Sequence, residues 1–378
     1  MSFAFEGDIL DAEFVDRPNR FLVRCMLGGR LIRAYMPNPG RMHELLFPGS
    51  ELYITPSQPS MRGGRKTQFT VVAVIDENGG VIFLHTHLTN SIAGSLIAAE
   101  AVPSLAQAHI VGAEVRHGRS RFDFVLEEEG GLVYMEVKSC TMFGNRIAMF
   151  PDAVTERGRR HLVELADMER QPIALFVVHS PHVDWFMPDY HTDLEFSRTM
   201  LSVRDRLRII PVSIAWRRNL TIEPQARELE IPWTYLEREV DDRGAYLLIL
   251  RLRRPRVVTV GSLGRILFEP GHYVYVGSAT VNLSARLAHH GRIRKTLRWH
   301  VDYLRQVADE VLPLPVRSSR RLECDLAAAC AGVMSTGPAR FGSSDCTCAS
   351  HLFHTPSDPL DNRQFHKLLQ QFRMAHPM

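Results

Sequence analysis

The pattern of apolar segments changes twice along the 378 residues, and this feature most limits how the chain can fold. Through about residue 85 the apolar runs are short and are separated by Pro- and Gly-rich turns. From Thr89 helix-like and strand-like runs follow one another, and a new strand begins at Ala245 after a charged, turn-prone stretch. Because a single core rarely grows past about 250–300 residues, the pattern predicts a multidomain α/β protein.

Short antiparallel strands in the first part favour a small β-barrel. The strongest local signal is Gly28-Gly29 between strand-like runs at 20–27 and 30–36, which predicts a hairpin. Later helix and strand patterns predict two α/β domains and, near the end, a helix at 363–373. The predicted division is 1–85, 86–238 and 239–360, with a C-terminal tail at 361–378.

Composition excludes a membrane-spanning chain. The sequence is 45% hydrophobic and 23% charged, and it contains no apolar run of about 18 residues. Acidic residues stand near the N-terminus where a signal peptide would be basic, and the six cysteines are unequally spaced. We therefore expect a cytoplasmic protein with reduced thiols and no membrane association.

Positive charge is concentrated in the C-terminal third. From Asp241 onward there are 19 Lys and Arg against 11 Asp and Glu, whereas the first 240 residues hold 26 against 31. Neutralisation of phosphates supplies most sequence-independent affinity for nucleic acid, so DNA is the expected partner. A solvated basic surface is the alternative. The sequence contains no Gly-rich phosphate loop opening a helix, so no small-molecule cofactor is expected.

Two strand-like runs joined by a turn at residues 128–131 carry a first set of candidate catalytic residues. If the loop is Glu129-Gly130, Asp123 lies directly opposite Glu136, and Lys138 shares their face because side chains alternate along a strand. Two close carboxylates form an oxygen site for Mg²⁺ or Mn²⁺, and the lysine could hold the attacking water. A three-residue loop would instead turn Asp123 to the other face and leave an exposed hairpin of solvated charges.

Downstream, Arg157 and His161 lie one turn apart on a predicted helix and are candidates for contact with DNA phosphates. A surface charge ladder with Glu156 and Glu164 is the alternative interpretation.

Several segments of residues 1–240 resemble the sugar fermentation stimulation protein family, SfsA. They are residues 37–42 (PNPGRM), 86–90 (THLTN), 121–124 (RFDF), 134–141 (YMEVKSCT) and 150–162 (FPDAVTERGRRHL). The resemblance implies an OB-like N-terminal barrel, a PD-(D/E)XK nuclease-like α/β domain and DNA binding. It also implies that Asp123, Glu136 and Lys138 form the catalytic set, with Asp123 and Glu136 as metal ligands, and Glu100 is a weaker fourth candidate. The family name describes a phenotype, so cleavage of DNA is an inference from this set.

A second set of candidates begins with Tyr246 and Tyr275, on two strand-like runs. If these strands pair, at least one of Tyr273 and Tyr275 should meet Tyr246. Arg286 and His290 lie one turn apart on the helix that follows. Tyrosines in strands are usually packing residues, and that alternative remains open here.

This C-terminal part resembles the GIY-YIG nuclease superfamily. The resemblance lies in Gly244-Ala245-Tyr246 and in residues 271–279 (GHYVYVGSA), 297–304 (LRWHVDYL), 321–326 (RLECDL) and 341–348 (FGSSDCTC). It implies a GIY-YIG-like α/β domain in which Tyr246 and Tyr275 shape the site and activate water. Arg286 would bind the scissile phosphate, Glu323 would bind Mg²⁺, and we assign His290 to DNA contact. A phenol, whose unperturbed pKa is about 10, acts as a base only if neighbouring positive charge lowers its pKa, and Arg286 with a metal would supply that charge.

Near the C-terminus, Cys346, Cys348 and His351 are zinc-ligand residue types. Their spacing, which continues to His354, matches no standard zinc module, so the sequence favours a packed, reduced turn. Trp299 and His300 are expected in the core.

The function that the sequence predicts is a DNA-binding protein with two nuclease-type domains, at least one of them a Mg²⁺-dependent endonuclease. A non-catalytic DNA-binding transcriptional regulator is the alternative. A role in small-molecule sugar metabolism has no binding fingerprint in the sequence to support it.

Overall fold

The computed structural model describes residues 3–57, 67–118 and 120–375, and the chain divides into two compact units. Unit 1 comprises Met1–Asp189 and Glu195–Trp233, and unit 2 comprises Tyr190–Leu194 and Thr234–Met378. The first two predicted domains therefore share one unit. The boundary with the third lies after Trp233 rather than after residue 238.

Unit 1 begins with a closed β-barrel. Its sheet has the order β3-β2-β1-β4-β5-β6, and it closes because β3 also pairs in parallel with β5. Gly28 and Gly29, between β2 and β3, have φ values of 55° and 79°, which a two-residue hairpin turn of type I′ requires, and the predicted hairpin is confirmed. The strands are β1 (Leu10–Asn19), β2 (Leu22–Leu27), β3 (Arg30–Tyr35), β4 (Glu51–Pro56), β5 (Phe69–Ile75) and β6 (Val81–Phe83).

A mixed six-stranded sheet with helices on both faces forms the rest of unit 1. Strand β12 is buried on both sides: Ile173, Leu175 and Val177 pack on the α1 side, and Phe176 packs on the side of α2 and α3. The order is β15-β14-β12-β9-β8-β7, and β10, β11 and β13 form a small separate sheet. The elements are α1 (Thr89–Ala98), β7 (His109–His117), β8 (Ser120–Glu128), β9 (Gly131–Cys140), β10 (Met142–Gly144), β11 (Ile147–Phe150), α2 (Glu156–Ala166), β12 (Ile173–Val178), β13 (Trp185–Pro188), α3 (Leu194–Val203), β14 (Arg208–Ser213) and β15 (Arg227–Glu228).

Unit 2 is built on an antiparallel sheet of order β20-β16-β19-β22-β21, with a hairpin of β17 and β18 beside it. Each face of the sheet has its own core: Tyr246 and Leu248 belong to one, and Leu247 and Ile249 to the other. The elements are α4 (Trp233–Glu239), β16 (Gly244–Leu252), β17 (Arg256–Thr259), β18 (Arg265–Phe268), β19 (Gly271–Ala279), α5 (Leu283–Gly291), α6 (His300–Arg305), β20 (Glu310–Arg317), α7 (Glu323–Ala331), β21 (Ser335–Thr336), β22 (Leu352–Thr355) and α8 (Arg363–Arg373).

The helices are short, the longest having 11 residues. Across residues 3–57, 67–118 and 120–375, no helix has the length and apolar character needed to cross a bilayer. Helix α8 occupies the range that the sequence predicted, but Phe365, Leu368 and Leu369 are buried in the core of unit 2. Residues 361–375 therefore belong to the folded unit and do not form a separate tail.

Candidate functional site

The β8–β9 hairpin brings the predicted carboxylates and lysine together. Its loop is Glu129-Gly130, since Glu128 pairs with Gly131 and Phe124 with Met135. If the pairing continues in this register, Asp123 stands opposite Glu136, and the side chain of Lys138 lies on the same face of the sheet. The two-residue loop is confirmed, and the exposed hairpin with a shifted register is wrong.

Two donors hold Asp123 in place. Nδ2 of Asn90, in the first turn of α1, donates to Oδ1 at 2.8 Å, and the backbone N–H of Val137 donates to Oδ2 at 2.7 Å. Burial raises the pKa of Asp123, and the charge of Glu136 raises it further, against these two hydrogen bonds. Glu100, the weaker candidate, is exposed just beyond α1 with a φ of 52°.

The two oxygens of Glu136 have different surroundings. Oε1 accepts from Nζ of Lys138 and lies 2.6 Å from Nδ1 of His161. Oε2 is buried and has no hydrogen-bond partner among the described atoms. Burial alone would raise the pKa of Glu136, but the hydrogen bond from His161 and the Lys138 charge outweigh it and the pKa is lowered. An ionised carboxylate with one open oxygen beside Asp123 fits a hard divalent cation.

The predicted DNA-contacting pair on α2 separates into one buried and one exposed residue. His161 is only 4% exposed, since α2 packs its ring against Glu136. Its Nδ1–H donates to the carboxylate, and its Nε2 accepts from Nε of Arg157 at 3.4 Å. His161 thus faces the carboxylate and not the solvent. Of the two side chains only Arg157 is exposed where a phosphate could reach it.

A cleft of about 540 Å³ opens beside Lys138 in unit 1. It is lined by the barrel loop at residues 38–40 and by Lys138 and Arg157, among others. Arg20 adds a third cation, while Asp152 contributes one carboxyl group. Basic side chains that line a cleft beside Lys138, which itself contacts Glu136, suit a phosphate-bearing ligand.

In unit 2, the paired strands β16 and β19 place the two predicted tyrosines on one face. Tyr246 lies opposite Gly277, and Tyr275 lies opposite Leu248. Both side chains are buried, with ring centroids 6.3 Å apart. A Cβ atom on Gly277 would stand 2.4 Å from the Tyr246 hydroxyl, so the glycine leaves the space that this phenol fills.

The hydroxyl of Tyr246 starts a buried chain of hydrogen bonds. It lies 2.9 Å from Nε2 of His290, whose Nδ1 lies 3.1 Å from Oδ1 of Asp302. Burial lowers the pKa of His290 and so favours the neutral ring, in which Nδ1–H donates to Asp302 and Nε2 accepts from Tyr246. Nζ of Lys295 adds an ion pair with Asp302 at 2.6 Å. His290, predicted to contact DNA, is 1% exposed and belongs to this internal chain instead.

Arg286 lies beside the phenols, stacked on an indole. Its Cζ is 4.1 Å from the Trp299 ring centroid, so the indole packs against the guanidinium and is only partly buried. Burial raises the pKa of Tyr246, and the positive charge of Arg286 offsets this only in part. Without a metal, Arg286 does not bring the pKa of Tyr246 below its usual value, and the proton acceptor next to the hydroxyl is Nε2 of His290.

Glu323 begins α7 and completes the predicted set in unit 2. One carboxylate oxygen accepts from Oγ of Ser278, and the other lies 3.2 Å from Nδ1 of His351. Burial would raise its pKa, but the close approach of His351 and the hydrogen bond from Ser278 outweigh burial, and the pKa is lowered. The charge of Glu323 raises the pKa of both Tyr246 and Tyr275, and the charge of Arg286 lowers both. The two tyrosines, Arg286 and Glu323 are therefore neighbours.

Sequence reasoning did not single out Asn90, Asp302 or Lys295. The first two lie inside the segments THLTN and LRWHVDYL, which carried the family resemblances, and that was the available signal. Lys295 had none, because its role depends on α6 bringing Asp302 within reach.

A closed small barrel followed by a mixed α/β sheet defines a multidomain α/β protein with domains of a nucleic-acid-binding type. Models of two families match this region: the SfsA N-terminal OB domain over residues 15–84 and the sugar fermentation stimulation protein RE domain over residues 87–219. The chain belongs to the sugar fermentation stimulation protein family.

Relatives of this region occur in bacteria and archaea. A sugar fermentation stimulation protein homolog of Chloroflexus aurantiacus is 37% identical over 199 residues, which is 52% of this chain and 75% of that protein. One from Methanothermobacter thermautotrophicus is 34% identical over 210 residues, covering 54% and 86%. The solved structure of Pyrococcus furiosus SfsA in complex with Ca²⁺ matches with a TM-score of 0.54 and 26% identity, over 61% of this chain and 99% of that one.

Residues 245–374 match a different family model, the domain of unknown function DUF123. That description assigns no activity to this region.

Proposed function

We propose that this chain is a Mg²⁺-dependent endonuclease that hydrolyses DNA phosphodiester bonds, with Mn²⁺ able to replace Mg²⁺. The observation that carries the proposal is the buried, unpartnered Oε2 of Glu136 on the face that it shares with Asp123. A buried ionised oxygen without a partner is costly, and a bound cation removes that cost.

The cation proposal has a second support. The Pyrococcus furiosus relative is described as a complex with Ca²⁺, a hard cation that takes oxygen ligands as Mg²⁺ does. We assign the cation of this chain to Asp123 and Glu136. When bound, it would supply positive charge to neutralise charge developing on the phosphate.

The surrounding residues would prepare that pair for a DNA phosphate. Asn90 and the N–H of Val137 fix the orientation of Asp123. His161 holds Oε1 of Glu136 and so leaves Oε2 open. Lys138, which lines the cleft beside this carboxylate, would orient water by hydrogen bonding, and the exposed Arg157 would bind a neighbouring phosphate.

For unit 2 we propose a GIY-YIG-like nuclease site. Arg286 would bind the scissile phosphate, and Tyr246 and Tyr275 would shape the site. Glu323 would hold a second Mg²⁺, since its oxygens each accept one contact and a carboxylate has about four lone-pair sites. In this proposal the attacking water gives its proton to Tyr246 as the phenol passes its own proton to Nε2 of His290, and Asp302 stabilises the resulting imidazolium.

The second candidate function is a DNA-binding transcriptional regulator that does not cut. The OB-type barrel and the basic C-terminal third favour DNA binding whether or not cleavage occurs. The carboxylates oppose this reading, because they repel phosphate and binding alone does not need them.

Cleavage of labelled single-stranded, duplex and branched DNA in Mg²⁺ or Mn²⁺ tests the proposal. The variants are Glu136→Gln, Glu323→Gln and the double variant. Glu127→Gln and Asp325→Asn are matched controls, because these exposed acids lie on β8 and α7.

We expect cutting by the intact chain and by both controls, and its loss in the double variant. Loss in one single variant would assign the reaction to that unit. DNA binding without cutting by the intact chain, on every substrate and with either cation, would reject the endonuclease and favour the regulator.

A further inference from the structure

Four potential metal ligands meet at one point of unit 2, outside the tyrosine and arginine cluster. They are Cys324 in the first turn of α7, Cys346 and Cys348 in the loop before β22, and His351 at the end of that loop. Their ligand atoms all lie within 4.8 Å of one another. None of these cysteines forms a disulfide.

One distance in this cluster is close to that of a tetrahedral zinc centre, and the others lie within 4.8 Å. With Zn–S bonds of about 2.3 Å and Zn–N bonds of about 2.0–2.1 Å, sulfur and nitrogen ligands are separated by about 3.6 Å. Sγ of Cys346 lies 3.4 Å from Nε2 of His351. The first shell would be Cys₃His, which is a closed structural set with no open position for substrate.

The other ring nitrogen of His351 supports the same assignment. Nδ1 lies 3.2 Å from Oε1 of Glu323, and histidine ligands of zinc usually donate their second N–H to a carboxylate or carbonyl. The two atoms are close but are not aligned as a hydrogen bond. The carboxylate is thus within reach as the outer partner that a zinc-bound histidine usually has, while Nε2 lies beside a thiol.

We propose that Cys324, Cys346, Cys348 and His351 bind one structural Zn²⁺ ion. The sequence alone favours a packed, reduced turn because Cys346, Cys348 and His351 lack a fourth ligand at a standard spacing. Cys324 supplies it from 22 residues upstream, since α7 packs against β19 and β22. The ion would tie the first turn of α7 to the loop before β22, and this inference does not depend on any nuclease activity.

Metal analysis of the full-length chain, purified with a reductant and without added metal, tests the site. We expect about one zinc per chain in the natural sequence and little in Cys324→Ser or His351→Asn. Cys330→Ala is the matched control, because Cys330 lies on the same helix but outside the cluster, and it should keep its zinc.

Replacement of zinc by Co²⁺ in the natural chain gives a second readout that requires no variant to fold. The expected spectrum has the d–d bands of tetrahedral Co²⁺ and thiolate charge-transfer bands. The proposal is overturned if the natural chain holds no zinc and takes up neither Zn²⁺ nor Co²⁺. It is also overturned if iron fills the site, or if Cys324→Ser retains stoichiometric zinc.

Discussion

At the scale of single residues, one ring fixes the direction of Glu136. His161 donates to Oε1 through Nδ1 while Arg157 occupies Nε2, so the ring cannot rotate without losing both contacts. Oε2 is left facing away from these donors with no partner. His161 is therefore a positioning residue in the proposed cation site.

We expect His161→Gln to weaken cation binding by about 10- to 100-fold, the usual effect of removing an outer-shell partner. Calorimetric titration with Ca²⁺ or Mn²⁺ measures it without any cleavage assay. Arg160→Gln is the control, since Arg160 is exposed on the same helix and pairs with Glu164. Equal affinities in the two variants would contradict the positioning role.

A second histidine makes the stability of unit 1 depend on pH. The ring of His179 is enclosed between Oγ of Ser139 and Nε1 of Trp216, each at 3.0 Å. The indole N–H donates to Nδ1, so that nitrogen cannot also carry a proton. Burial lowers the pKa of His179 to about 3.

Below about pH 6.5 the unfolded chain takes up a proton that the folded chain cannot bind at His179. The free energy of unfolding should therefore fall by up to about 1.4 kcal/mol for each pH unit between pH 6.5 and 3. Urea unfolding between pH 4 and 7 should show a shallower slope for His179→Gln than for the natural chain. The exposed His109→Gln should keep the natural slope, and a parallel decline in all three proteins would contradict the prediction.

At the scale of elements, the pairing of β16 with β19 sets the space for Tyr246. Because Gly277 stands directly opposite this tyrosine, the strand has no side chain where the phenol lies. The tyrosine and the glycine of the motif are therefore a matched pair across two strands.

Gly277→Ala should lower the stability of unit 2 by about 1–3 kcal/mol, the usual cost of overpacking a core. It should also displace Tyr246 from His290. Denaturant unfolding and the structure of the variant measure these effects. Gly291→Ala provides the comparison, because a Cβ atom there meets open space. An unchanged unfolding midpoint for Gly277→Ala would show that the phenol moves without cost.

The sequence predicted those elements whose signals are local. The register of β8 and β9 followed from a two-residue loop, and the Gly28-Gly29 hairpin followed from a dipeptide that permits positive φ. Closure of the barrel could not be predicted, because it depends on the pairing of β3 with β5. The paired residues Ala34 and Phe69 are far apart in the chain. Similarly, the burial of His161 and His290 depended on helices packing against strands, which spacing along one helix does not reveal.

At the scale of the whole molecule, each unit has its own cores. Three apolar clusters are formed by unit 1 residues and two by unit 2 residues. Because each of these clusters of described residues lies within one unit, each unit has a core with which to unfold separately, and two-state behaviour is not expected.

Calorimetry of the full chain should therefore resolve two unfolding transitions. Gly277→Ala should lower the midpoint of only one of them, which assigns that transition to unit 2. A single transition that moves as a whole, with equal calorimetric and van't Hoff enthalpies, would contradict independent cores.

Glu323 and Cys324 are adjacent in the first turn of α7, and this has a practical consequence for assays. A chelator added to remove Mg²⁺ would also draw on an ion held by the cysteines, and His351 would then lose the partner that fixes its ring against Glu323. Inhibition by EDTA would thus combine two events, first the removal of Mg²⁺ from Glu323 and second the removal of zinc from the neighbouring cysteines. Recovery on adding back Mg²⁺ without zinc identifies the first event, and recovery that also requires zinc identifies the second.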